Sequence, residues 1–161
     1  MTREEWLTEF LVAEQVRFYR LAYSYLHDRE DALDAVQTAV CKALEKQEGL
    51  RETEAMRTWF YRILVHTCTD TLRRRKWFAS VSADELDRGS YEDPMSADGA
   101  LSERLSGLPP EVQTVIRLRF FEELSLREIS EVTDAPVSTV KTRLYTGLKK
   151  LRIELESEDA I

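Results

Sequence analysis

The chain has 161 residues, 43% of them apolar, with a formal charge of −7 and a pI near 5.0. That length suits one ordinary domain or two small ones, and the acidic balance excludes a general polyanion binder, so any basic surface has to be local. There is no long apolar run of the kind that spans a bilayer, and the amino terminus MTREEWLTEF is charged where a signal peptide is apolar, which predicts a cytoplasmic protein without direct membrane insertion. Cys41 and Cys68 lie far apart without a CxxC spacing, so free thiols are expected. No internal repeat, Gly-rich phosphate loop or low-complexity tract is present.

In chain order, Val16, Tyr19, Tyr23 and Leu26 recur at helical spacing and predict a first core helix. Asp28-Arg29-Glu30 then reads as a helix start, with Ala32, Val36, Ala39 and Ala43 on one side. The carboxylates of Asp28, Glu30, Asp31 and Asp34 near that start suit the positive end of the helix dipole, and equally suit a docking face for a basic partner. They do not share one helix face, which argues against a metal site. Gln47 to Glu54 is polar, contains Gly49 and reads as a loop.

A long helix is predicted from about Ala55 to Lys76, with Met56, Phe60, Ile63, Leu64 and Thr67 inward. Trp59, Arg62, His66, Arg73 and Arg74 fall on or near another face, and the basic run Arg73-Arg74-Arg75-Lys76 is followed by Trp77-Phe78. Interleaved rings and cations suit unpaired nucleic acid, whose bases stack while cations follow the backbone. The plainer reading is that the aromatics fill a small helical core; it is the expectation for Trp77 and Phe78, while Trp59 is open to both.

Ser80 to Ser106 carries Ser, Asp, Gly, Glu and Pro94 with few large apolar side chains. This predicts a solvated linker over residues 79–106 between domains at 1–78 and 107–161. Pro109-Pro110-Glu111 marks the next helix start, with Val112, Val115, Ile116 and Phe120 as its stripe. Ser125 is a candidate N-cap with Glu128 three residues on.

Leu126 to Arg152 holds two short apolar periods, Leu126, Ile129 and Val132, then Val140, Leu144, Leu148 and Leu151, broken by Thr133-Asp134-Ala135-Pro136. Two helices joined by a tight turn are expected, a helix-turn-helix. With the second stripe inward, Ser138, Thr139, Thr142, Tyr145, Thr146 and Lys149 face outward, flanked by Lys141, Arg143, Lys150 and Arg152. From Val137 to Arg152 there are five basic residues and no acidic one, a local inversion of charge that fits a helix reading duplex DNA. The tail Glu154 to Asp159 is acidic and expected to fray.

Chemistry of other kinds has little support. His66 and Cys68 would point roughly 160° apart on one helix, so a zinc site from His27, Cys41, His66 and Cys68 is not expected, and no metal or other cofactor is predicted. No Ser-His-Asp, paired-carboxylate or phosphate-loop constellation appears, so an enzyme is not expected.

Taken together, YRLAYSYLHDREDALDAVQTAVCKAL (Tyr19 to Leu44), MRTWFYRILVHTCTDTLRRRK (Met56 to Lys76) and Leu108 to Arg152 resemble, in order and spacing, regions 2 and 4 of extracytoplasmic-function sigma factors of bacterial RNA polymerase. The resemblance implies an all-α protein: two small helical domains joined by a flexible linker, the C-terminal one containing a helix-turn-helix. It implies that Asp31, Asp34, Ala35, Val36 and Gln37 dock on the beta-prime clamp of core RNA polymerase, with the beta flap as a further contact. It implies that Trp59, Arg62 and His66, with the Gln47 to Ala55 loop, hold unstacked bases of the minus-10 element while Arg73 and Arg74 hold its phosphates. Ser138, Thr139, Lys141, Thr142 and Arg143 would enter the major groove of the minus-35 element. Promoter DNA and an anti-sigma factor complete the implied partners.

Three positions depart from the family pattern. His66 stands where Asn is usual, which bears on base preference because histidine changes charge near neutrality. Asp134 replaces the usual turn Gly, and Thr133 replaces an apolar residue. Alternatives to the resemblance are a stand-alone helix-turn-helix regulator whose first 78 residues sense or dimerise, and a sigma-like adaptor that binds polymerase without opening promoters.

Overall fold

The computed structural model describes the backbone of residues 1–81 and 104–159 and the side chains as far as Arg152. The chain divides into two units, Met1–Ala97 and Asp98–Ile161, and every regular element among the described residues is helical.

The first unit begins with a helix that periodicity did not predict, α1 (Arg3–Ala13). It is set by a capping box: Thr2 Oγ1 accepts from Glu5 N at 3.2 Å, and Thr2 N donates to Glu5 Oε2 at 3.0 Å. Only Leu7 and Leu11 of α1 are buried, one turn apart. Helix α2 (Gln15–Leu26) buries Phe18, Leu21, Ala22, Tyr23, Ser24, Tyr25 and Leu26. Of its predicted stripe, Tyr23 and Leu26 are buried and Tyr19 is half-buried, but Val16 is 51% exposed and Phe18 takes the core position there. The cause is ring packing. Phe18 lies 4.5 Å from Phe60, 5.5 Å from Phe10 and 5.6 Å from Tyr61 between ring centroids, each pair worth about 1 kcal/mol beyond its area.

Helix α3 (Arg29–Glu45) starts at Asp28, whose Oδ1 accepts from Asp31 N at 2.9 Å. It buries Ala32, Ala35, Ala39 and Ala43, small side chains that let it lie close against α2 and against α4 (Met56–Val81). Predicted Val36 is half-buried, its place in the packing taken by Ala35. Helix α4 buries Met56, Phe60, Tyr61, Leu64, Val65, Thr67 and Cys68. It runs past Lys76, so Ala79, Ser80 and Val81, predicted as linker, complete the helix. The rest of that linker, as far as residue 103, lies outside the described residues.

In the second unit, α5 (Pro110–Phe120) starts on a proline at a position where a missing N–H costs nothing. Val112, Val115 and Ile116 are buried as expected, but Phe120 is 52% exposed, because the chain turns inward again through Leu118 and Leu124 instead. Leu124 N donates to Leu118 O at 3.1 Å, closing that turn. Arg117 and Glu122 are both buried at 1% exposure, and Arg117 Nη2 donates to Gln113 Oε1 at 3.2 Å.

Helix α6 (Leu126–Thr133) carries the expected capping box, with Ser125 Oγ accepting from Glu128 N at 3.1 Å and Ser125 N donating to Glu128 Oε1 at 3.0 Å. It ends on Asp134 in the left-handed region at φ 57°, a conformation that Asp tolerates better than most residues. Ser130 Oγ donates to Ala135 O at 2.6 Å, holding the turn. Helix α7 (Val137–Asp159) then packs Val140, Leu144 and Leu151 inward. Gly147 permits a close approach: a Cβ there would sit 2.2 Å from Ile116 Cδ1 and 2.7 Å from Val112 Cγ1. Glu154 to Asp159, expected to fray, is helical.

Candidate polymerase and nucleic-acid interfaces

The five α3 residues implied in docking separate by depth. Asp34 and Gln37 are exposed and Val36 is half-buried, while exposed Leu33 and Leu44 extend the same flank with apolar surface. Ala35 points into the helix packing, where its side chain is shielded from a partner. Asp31 is half-buried and forms an ion pair with Arg75 of α4. Arg75 also donates through Nη1 to Leu26 O at 2.7 Å. One guanidinium thus ties the start of α3 and the end of α2 to the basic run of α4. Lys or Arg at position 75 is not equivalent here, because two separate acceptors need the fork of an arginine.

On α4, Trp59 is half-buried and Arg62, His66, Arg73 and Arg74 are exposed. At 100° per residue they lie within an arc of about 120°, so the helix brings together the residues predicted for the minus-10 strand. Arg73 Nη1 lies 3.3 Å from Asp70 Oδ1, an exposed contact one turn away that holds the side chain only loosely. The preceding loop is built from two short 3₁₀ turns, Gln47–Gly49 and Thr53–Ala55, pinned by buried Leu50 between them. Arg3 Nη1 donates to Gln47 O at 2.9 Å, fastening α1 to the loop. Sequence periodicity missed that link, since a single guanidinium reaching across 44 positions leaves no local pattern.

Trp77 and Phe78 do not fill the core. They are 59% and 61% exposed and pack edge to face on each other at 5.0 Å.

On α7, Ser138, Lys141 and Thr142 are exposed, and Thr139 and Arg143 are half-buried. Thr142 Oγ1 donates to Ser138 O at 3.0 Å, which fixes its rotamer and leaves the hydroxyl oxygen to accept. Tyr145 is exposed on the next turn of the same face. Among the described residues no cluster of three or more His, Cys, Asp or Glu could hold a metal ion, and no helix is long and apolar enough to cross a membrane. Cys41 is exposed and Cys68 buried, both as thiols.

The family model for sigma-70 region 2 matches residues 11–78, and that for sigma-70 region 4 matches residues 98–151. RNA polymerase sigma factor SigV of Bacillus subtilis is 47% identical over 146 residues, covering 88% of this chain and 86% of its own. ECF RNA polymerase sigma factor SigW of the same organism is 30% identical, covering 86% of this chain and 83% of its own. Among solved structures, the sigma factor RpoE of Bartonella quintana, in complex with the anti-sigma factor NepR, superposes with a TM-score of 0.75 at 18% identity, over 92% of this chain and 96% of that one.

Proposed function

The chain belongs to the extracytoplasmic-function group of the sigma-70 family, and from that premise we propose how its surfaces divide the work of starting transcription. As an RNA polymerase sigma factor it binds core polymerase, directs it to promoters and helps open the DNA. The exposed part of the α3 flank, Asp34, Gln37 and Val36 with Leu33 and Leu44 beside them, docks on the clamp. Asp31 acts one step back, holding Arg75 and hence the seam between α3 and α4. Residues 1–78 and 107–161 serve as the two working domains.

The minus-10 strand lies along the Trp59, Arg62, His66, Arg73 and Arg74 face, next to the 47–55 loop. Extruding a base costs a few kcal/mol, returned by stacking and pocket contacts. The unpaired strand is favoured over the duplex by differential binding, and the protein hydrolyses nothing. Lys141 and Arg143 neutralise phosphates or reach guanine edges in the minus-35 major groove, with Ser138, Thr139 and Thr142 between them. An acidic overall charge limits stray binding to the genome, and tethering through polymerase supplies the remaining affinity. We assign the protein to the cytoplasm, where its polymerase resides. An anti-sigma factor is the regulatory partner in this reading; the support is the likeness in fold to a sigma factor solved with such a partner.

The observation that carries the reading is the gathering of half-buried Trp59 with exposed Arg62, His66, Arg73 and Arg74 on one face of α4, in a chain whose other basic helix presents hydroxyls. The test is co-elution with bacterial core polymerase, then in vitro transcription on fragmented genomic DNA of the host. Discrete start sites are expected, and Asp34→Arg abolishes co-elution without changing the far-UV circular dichroism. Unchanged affinity of that variant for core enzyme removes the docking assignment, and transcripts that fail to appear from the wild-type complex favour an adaptor.

A further inference from the structure

Of the four consecutive cations near the end of α4, one differs from the rest. Arg73, Arg74 and Lys76 are exposed, whereas Arg75 is half-buried. At 100° per residue Arg75 stands about 160° from Arg73, on the side where it meets the end of α2 and the start of α3. Its Nε is enclosed without a hydrogen-bond partner, so part of the guanidinium has left water.

Both prongs of the fork are engaged at the corner between α2 and α3. Nη1 donates to Leu26 O at 2.7 Å, and Nη2 pairs with Asp31 Oδ2. Leu26 ends α2, where carbonyls lack helical partners and the dipole is negative. The bend that follows is a demanding one. His27 stands at φ 53° in the left-handed region, and Asp28 is extended and caps α3 by accepting from Asp31 N at 2.9 Å. A residue with a Cβ keeps the left-handed conformation where its surroundings over-determine it. Arg75 grips the chain on either side of this bend, at Leu26 before it and at Asp31 after it. The exposed flank of Leu33, Asp34 and Gln37 begins within a turn of Asp31, so its course is set by the bend.

We infer that Arg75 is a positioning residue for the docking of core polymerase and not a phosphate ligand: it fixes the bend between α2 and α3, and through it the place of Asp34. This rests on the assignment of the α3 flank to the polymerase and deepens it. Asp31 contributes to docking through Arg75, and the two side chains act as one unit. The basic run is divided accordingly, with Arg73 and Arg74 left to the DNA.

The test titrates core polymerase with the full chain as wild type, Asp31→Asn, Arg75→Gln and the double variant, with Asp34→Arg as reference, well below the unfolding midpoint of each. Each of the two single variants is expected to weaken core binding about fivefold, and the double variant no more than either one. Arg75→Lys, which reaches one acceptor at a time, recovers part of the loss. With core polymerase saturating, on a promoter pre-opened by a mismatched bubble, Arg75→Gln keeps the wild-type slope of log affinity against log salt, while Arg74→Gln reduces it by about 1. If Asp31→Asn weakens core binding just as much in the Arg75→Gln background, Asp31 touches the polymerase itself and the inference is overturned. It is overturned equally if Arg75→Gln reduces the salt slope as Arg74→Gln does. If Arg75→Gln leaves core affinity unchanged while Asp34→Arg abolishes it, the positioning role is overturned and the docking flank stands. If Asp34→Arg also leaves core affinity unchanged, the flank assignment falls and the positioning role with it.

Discussion

Two helices of this protein expose opposite chemistry, and in the proposed reading that contrast divides one task between them. Helix α4 displays Trp59, Trp77 and Phe78 among arginines and buries its other side in a ring cluster with Phe10 and Phe18. Helix α7 displays Ser138, Thr142 and Lys141 and buries aliphatic Val140, Leu144 and Leu151. Rings are of use only where bases leave the stack, and small hydroxyls and cations suit the edges and phosphates of an intact duplex. In the proposed division of labour, the exposed faces, more than the folds beneath them, separate strand opening from duplex reading.

The supporting cores offer the strongest way to break that contrast. Phe60→Ala removes the ring at the centre of the α4 cluster, 0% exposed, and is expected to cost about 4 kcal/mol. Urea denaturation of the full chain should show an early transition for the first unit, with the second unit melting as before. Gly147→Leu strikes the other helix: with Ile116 Cδ1 already 2.2 Å from where a Cβ would be, overpacking should cost about 2 kcal/mol. Promoter duplex binding should fall while core binding is kept. Lys141→Ala, on the surface of α7, sharpens the contrast with least disturbance. A loss on the order of 1 kcal/mol is expected, uniform across sequences, with the slope of log affinity against log salt reduced by about 1. A loss confined to one promoter sequence would instead make Lys141 a base-reading residue.

Much of this arrangement was legible in the residues. The start of α6 is declared locally by Ser125 and Glu128 and its turn into α7 by Asp134 and Pro136, and the structure forms the capping box and the left-handed residue those positions imply. Three positions of the α3 stripe, Ala32, Ala39 and Ala43, were equally plain, although Ala35 and not Val36 completes it. What escaped was set by packing at a distance. Periodicity marks one side of α2 with Val16, yet the core is chosen by Phe18 meeting Phe60. Leu7 and Leu11 are too few to announce α1. Phe120, Trp77 and Phe78 are large and apolar like core residues, and only the fold reveals that they stand more than half exposed. Buried Arg117 and Glu122 run against composition-based expectation for the same reason. Within the candidate sites, depth was the missing quantity: Asp31 and Asp34 look alike in sequence, but one is engaged with Arg75 and the other faces solvent.

The most direct test of the division between the two helices is permanganate reactivity of minus-10 thymines in complexes with core polymerase, titrated for wild type, Trp59→Ala and Lys141→Ala. The account predicts that Lys141→Ala reaches full reactivity once its concentration is raised, because only duplex affinity is lost. Trp59→Ala stays low at saturation, because the opened strand has lost its support. Full reactivity of Trp59→Ala at saturation would contradict the assignment of α4 to strand opening.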